Sequence, residues 1–97
     1  MKLQEVKKVL SSGKGKIIIS IHTMQRLEQR GYTKADIVTA ILNGEIVERQ
    51  SISKVAVLGR DTDDNPVVVV IAKVSNHQFK IVTTMPPIDR SRFKYCI

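Results

Sequence analysis

The sequence predicts an α+β fold, with N-terminal helices packed on an antiparallel sheet of about four strands. The first half of the chain has apolar residues at helical spacing on both sides of one β-branched run. After Gly44 the pattern changes to short runs rich in valine and isoleucine, separated by brief polar turns. Short turns between successive strands favour antiparallel pairing, and helices placed ahead of such strands are typical of the α+β class.

The first elements are a helix at residues 3 to 11 and a strand at residues 16 to 21. The helix is amphipathic, because one stripe of its surface carries Leu3, Val6, Val9 and Leu10. The sequence SSGKGK that follows predicts the helix end and a flexible basic turn. The run KIIISI is β-branched, which favours a buried strand.

Two more helices are predicted before the strands. The first covers residues 22 to 30, and Gly31 is suited to the left-handed conformation that follows a helix end. The second begins at a capping box in which Thr33 is the N-cap and Asp36 is the third helical residue. It ends near Asn43.

Four strand candidates then follow, at residues 45 to 50, 54 to 59, 66 to 74 and 78 to 84. Pro86 and Pro87 end the last of them, because proline lacks the backbone N–H that a strand needs. A length of 97 residues predicts a single domain, 1–97. It consists of an N-terminal helix and basic turn (1–15), a core (16–87) and a basic tail (88–97).

The charge balance favours an anionic partner. Sixteen lysines and arginines against nine acidic residues give a net charge of +7, which suits nucleic acid or an acidic protein. No membrane span is expected, because no apolar run approaches the roughly 20 residues that one needs. The start of the chain lacks the apolar region of a signal peptide, and the lone Cys96 cannot form an internal disulfide. We therefore expect a cytoplasmic protein.

The candidate site is a stripe on the predicted helix at residues 22 to 30. Each helical residue advances by roughly 100°, so Arg26 and Arg30 lie about 40° and 80° from His22. Met24 and Leu27 fall on the far side, which would be buried.

Histidine can transfer a proton near neutral pH, and arginine stays charged and can donate two hydrogen bonds to one phosphate. Such a stripe can therefore support RNA cleavage without a metal. The alternative is a solvated helix face with a surface histidine.

Weaker candidates lie on the last strand. Strand alternation predicts that Lys80 and Thr84 share the face opposite Phe79 and line an anion-binding surface. An ordinary exposed sheet face is the alternative. His22, His77 and Cys96 lack metal-ligand spacing, so no metal or cofactor is expected.

Three segments together resemble the small prokaryotic domain-of-unknown-function family 4258. They are SIHTMQRLEQRGYTKADIVTAILNGEIVE, VLGRDTDDNPVVVVIAKV and KIVTTMPP, and they span residues 20 to 87. The residues that fit the family pattern are Ser20, His22, Arg26, Arg30, Gly31, Asn43, Gly44, Glu45, Gly59, Pro66 and Thr83 or Thr84. The chain departs from the pattern at Thr23, where alanine is usual, at Val68, where histidine is frequent, and in TTMPP, which lacks the usual aromatic residue.

The resemblance implies a grouping with RelE-like and ParE-like toxins, in which helices pack on a four-stranded antiparallel sheet. It therefore implies a metal-independent endoribonuclease, with RNA as substrate and an acidic antitoxin as partner. His22 would be the general acid or base, Arg26 and Arg30 would hold the phosphate, and Thr84 and Lys80 would make lesser contacts. The alternative is a non-catalytic basic module that binds nucleic acid or an acidic protein without turnover.

Overall fold

The computed structural model describes residues 1–85, which fold into three helices and one five-stranded sheet. The elements in chain order are α1 (Leu3–Ser12), β1 (Lys16–Ile18), α2 (Ile21–Gln29), α3 (Lys34–Asn43), β2 (Glu45–Ser51), β3 (Lys54–Arg60), β4 (Pro66–Ser75) and β5 (Gln78–Met85). The α+β class is confirmed. The predicted basic tail at residues 88–97 lies outside the described residues.

The strand count and the purely antiparallel sheet were predicted wrongly. Strands β2 to β5 form the expected antiparallel meander, but β1 joins the sheet as a fifth strand, parallel to β5. Ile17 of β1 lies opposite Phe79 of β5, a pairing between residues far apart in the chain. Local sequence patterns carry no information about such a pairing, because each strand pattern reports only on its own segment.

The helix ends follow their sequence signals. Gly13 ends α1 in the left-handed conformation, with φ of 71°. The predicted capping box of α3 is confirmed: Thr33 Oγ1 accepts the Asp36 N–H at 3.1 Å, and Asp36 Oδ2 accepts the Thr33 N–H at 2.8 Å. β1 ends earlier than predicted because Ser20 caps α2, where its hydroxyl accepts the backbone N–H of Thr23 at 3.1 Å.

The main core lies between the helices and one face of the sheet. The helices contribute Val6, Val9, Leu27, Ile37, Ala40 and Ile41, and the strands contribute Val55, Val57, Val67, Val69, Ile71, Phe79 and Ile81. These side chains are almost entirely buried, and burial of apolar surface is the main driving force of folding. Leu27 thus holds α2 on the sheet as predicted, while Met24 is only partly buried.

Candidate functional site

The exposed side of α2 carries His22 and Arg26. The Ser20 cap places His22 in the first turn of the helix, and Arg26 follows four residues later on the same side. Both side chains are exposed, and neither forms a hydrogen bond or an ion pair with any residue in the range 1–85. With Arg30 they form the α2 cationic stripe, defined here as His22, Arg26 and Arg30.

Arg30 has a structural contact that the other two lack. Its Nη1 donates a hydrogen bond of 2.7 Å to the backbone carbonyl of Thr84 and lies 3.5 Å from the hydroxyl of Thr83. The contact joins the end of α2 to the end of β5. A hydrogen bond that involves a charged donor is about twice as strong as a neutral one. Arg30 therefore helps to fix α2 on the sheet.

We expect Arg30→Ala to lower the free energy of unfolding by about 1.5 kcal/mol, because the mutation removes this charged hydrogen bond. Arg26→Ala is the matched control, since it removes the same side chain type from the same helix where it has no partner among residues 1–85. Its effect should stay within about 0.5 kcal/mol. Urea unfolding at neutral pH measures both values, and equal losses in the two variants would contradict the anchoring role.

Thr84 lies inside the protein rather than on an exposed face. Thr84 is fully buried, and its hydroxyl has no hydrogen-bond partner among the described residues. The cause is a β-bulge: Ile81 lies opposite Ile71 and Thr83 lies opposite Val70, so β5 has one extra residue between them. The predicted alternation is shifted from that point onward.

The bulge separates Thr84 from Lys80. Thr84 lies opposite Val69, a member of the main core, whereas the exposed Lys80 lies opposite Ala72 on the other face of the sheet. Residues directly opposite each other in a sheet point to the same face. The prediction that Lys80 and Thr84 share one surface was therefore wrong. A buried hydroxyl cannot contact a substrate in this conformation, and Lys80 lies away from the α2 cationic stripe.

Other residues of the family pattern have structural roles around α3. The Asn43 amide pairs with the backbone of Arg60 in both directions: Nδ2 donates to the carbonyl at 2.9 Å, and Oδ1 accepts the N–H at 2.8 Å. Gly44 and Gly59 lie where neighbouring backbone approaches so closely that a Cβ atom would collide with it. These residues hold the end of α3 against β3. Packing and backbone hydrogen bonds therefore account for the residue types at these positions, and no catalytic role is needed to explain them.

A polar contact between the buried Asp36 of α3 and the β3–β4 turn was not predicted from the sequence. Asp36, which was predicted only as a helix cap, also accepts hydrogen bonds from the backbone N–H and the hydroxyl of Thr62. The Thr62 hydroxyl bond, followed by the bond from the Thr33 N–H, lowers the pKa of Asp36 to about 2. The carboxylate is therefore charged at neutral pH and serves as a structural acceptor. Thr62 lies in a polar turn and gives no sequence signal for this partnership.

The comparisons with known proteins give one match. The family model described as "Domain of unknown function (DUF4258)" matches residues 19–86. No curated protein and no solved structure matches the chain. The matched range includes α2, α3 and strands β2 to β5, and it leaves α1 and β1 outside. None of the helices within residues 1–85 is long and apolar enough to cross a membrane.

Proposed function

This chain belongs to the DUF4258 family, and we propose that it is a metal-independent endoribonuclease of toxin–antitoxin type that uses the α2 cationic stripe. The observation that carries the proposal is the placement of His22 and Arg26. They are exposed one helical turn apart, and neither has a partner among residues 1–85. Exposed, unpaired groups are free to contact a polyanion, and the net charge of +7 would attract one.

In the proposed RNA cleavage, the histidine transfers the proton and the arginine stabilises the phosphate. In RNA cleavage the 2′-oxygen attacks phosphorus, the bond to the 5′-oxygen breaks, and the products are a 2′,3′-cyclic phosphate and a 5′-hydroxyl. His22 accepts the proton of the 2′-hydroxyl and returns it to the departing 5′-oxygen. Arg26 donates hydrogen bonds to the non-bridging phosphate oxygens, where negative charge increases in the transition state. Arg30 keeps α2 in place through the Thr84 carbonyl.

The experiment is a cleavage assay on a labelled single-stranded RNA in the presence of EDTA. We expect the wild-type protein to cleave, and His22→Asn to reduce the rate by about 100-fold, because general acid–base catalysis contributes that order of magnitude. His77→Asn is the matched control: His77 is the other histidine, is exposed, and lies in the β4–β5 turn. Absence of cleavage by the wild type, or equal rates for wild type and His22→Asn, would contradict the catalytic role.

A second candidate is a non-catalytic module that binds RNA or an acidic protein such as an antitoxin. Two observations favour it: no residue in the range 1–85 orients the His22 imidazole, and Thr84 is buried. Under this alternative, fluorescence anisotropy would show salt-sensitive RNA binding that His22→Asn leaves unchanged. Arg26→Ala would reduce the salt slope by about 1, because it removes one phosphate contact.

A further inference from the structure

A cleft of about 680 Å³ lies between α1, the α1–β1 loop and the β4–β5 turn. That volume is within the range of roughly 300–1,000 Å³ that is usual for small-molecule sites. Val9 and Phe79, which belong to the main core, lie at the floor of this cleft, where these residues are 6% and 1% exposed. We define this cavity as the α1 cleft.

Charged side chains line the α1 cleft. Glu5 and Lys73 neutralise each other through an ion pair of 3.0 Å. Hydrogen bonds, first from the Lys2 backbone N–H and then from Lys73, lower the pKa of Glu5, so this carboxylate stays charged. Lys8 and Lys14 also line the cleft, and neither side chain has a hydrogen bond or ion pair with the described part of the chain. The cleft therefore carries two uncompensated positive charges.

Two unusual backbone conformations meet at the α1 cleft. Gly15 has φ of 128°, and His77 has φ of 63°, which is rare for a residue with a side chain. A Cβ atom on Gly15 would collide with the His77 carbonyl, and that carbonyl accepts the Lys16 N–H at 2.8 Å. The loop and the turn are thus locked together on one side of the cavity. Of the two, only His77 is in a conformation that is costly for its residue type, and such conformations concentrate at functional sites.

We propose that the α1 cleft binds an amphiphilic anion, whose apolar body covers Val9 and Phe79 and whose carboxylate or phosphate head group pairs with Lys8 and Lys14. An apolar cavity with a few placed charges is the usual design of a small-molecule site. The cleft depends on α1, which lies outside the family match, and the inference is independent of the proposed RNA chemistry.

The test is a titration of the ¹⁵N-labelled full chain with octanoate, mono-octyl phosphate and uncharged octanol, followed by NMR. We expect saturable shifts of the Val9, Gly15 and Phe79 amide signals with at least one of the two anions, and affinity for octanol at least tenfold lower. The comparison of octanoate with mono-octyl phosphate identifies the preferred head group. Absence of saturable shifts with both anions, equal affinity for octanol, or shifts spread over the whole surface would overturn the proposal.

Two variants test the location of the site. The double variant Lys8→Glu/Lys14→Glu should bind the anion at least tenfold more weakly. The control variant Lys34→Glu reverses a charge at the exposed start of α3, and its affinity for the anion should change less than twofold. Ser12→Trp, at an exposed position that lines the cleft, should block binding without any charge change. Circular dichroism confirms that each variant is folded. Unchanged affinity in the folded double variant, or an equal loss with Lys34→Glu, would overturn the assignment.

Discussion

Replacement of Gly59 by alanine is expected to lower the free energy of unfolding by about 3 kcal/mol. Gly59 lies in β3 directly beneath α3, and an added Cβ would collide with the Ala40 carbonyl oxygen and lie 2.6 Å from its carbonyl carbon and 2.8 Å from its Cα. All three atoms belong to the helix backbone. A flexible side chain could rotate away, but here the whole of α3 must move off the sheet and expose part of the main core.

Urea unfolding of Gly59→Ala at neutral pH measures this effect, and Gly13→Ala provides the matched control. Gly13 has φ of 71° but open space around it, so its replacement carries only the cost of a left-handed alanine, about 1 kcal/mol. The comparison separates steric collision from backbone strain. A loss for Gly59→Ala no greater than that for Gly13→Ala would show that α3 and β3 adjust their separation easily.

The elements that the sequence predicted well are those defined by local signals. Three predicted features were of this kind: the capping box of Thr33 and Asp36, the end of α1 at Gly13, and the meander after Gly44. Each depends on residues within a few positions of each other. Each signal has a local physical cause, such as a cap, a left-handed φ or a tight turn. These parts of the fold could therefore be predicted without any tertiary contact.

The elements that were missed depend on contacts between distant segments. The parallel pairing of β1 with β5 joins residues more than 60 positions apart, such as Lys16 and Gln78. The β-bulge in β5 is the second case. Ile81 and Val82 are both apolar and Thr83 and Thr84 are both polar, so the sequence does not indicate which face each of these residues takes. A bulge shifts every later side chain to the other face, which is why Thr84 became a core residue.

In the candidate site, too, the relations within one helix could be predicted and the contacts between elements could not. Helical spacing placed His22 and Arg26 on one exposed side of α2, since that relation depends only on the helix itself. The Arg30 contact with the Thr84 carbonyl could not be predicted, because it requires the position of α2 on the sheet. The residues on which the resemblance to the family was based therefore separate into two groups. His22 and Arg26 have no structural explanation within residues 1–85, whereas Arg30, Asn43, Gly44 and Gly59 have one.

Replacement of Asp36 by alanine should lower the free energy of unfolding by about 3 kcal/mol at neutral pH. The carboxylate, which is only 5% exposed, accepts hydrogen bonds from the Thr33 N–H, the Thr62 N–H and the Thr62 hydroxyl. Alanine leaves these donors without their acceptor and removes both the α3 capping box and its link to the β3–β4 turn. Asp63→Ala is the control, because Asp63 is an exposed residue of the same turn. Equal losses in the two variants would contradict the role of Asp36.

The same carboxylate gives the protein a defined acid sensitivity. Its pKa falls from 3.8 to about 2 on folding, so the unfolded state binds the proton more tightly. The stabilisation from this shift is complete above about pH 4 and is lost as the pH falls toward 2. It amounts to about 2 kcal/mol. Urea unfolding between about pH 5 and pH 2 should therefore show a smaller loss of stability in Asp36→Ala than in the wild type, and the difference between the two curves should narrow from about 3 to about 1 kcal/mol at the acidic end. Parallel curves would mean that the Asp36 carboxylate keeps its ordinary pKa in the folded protein, and that its hydrogen bonds to Thr62 do not favour the charged form.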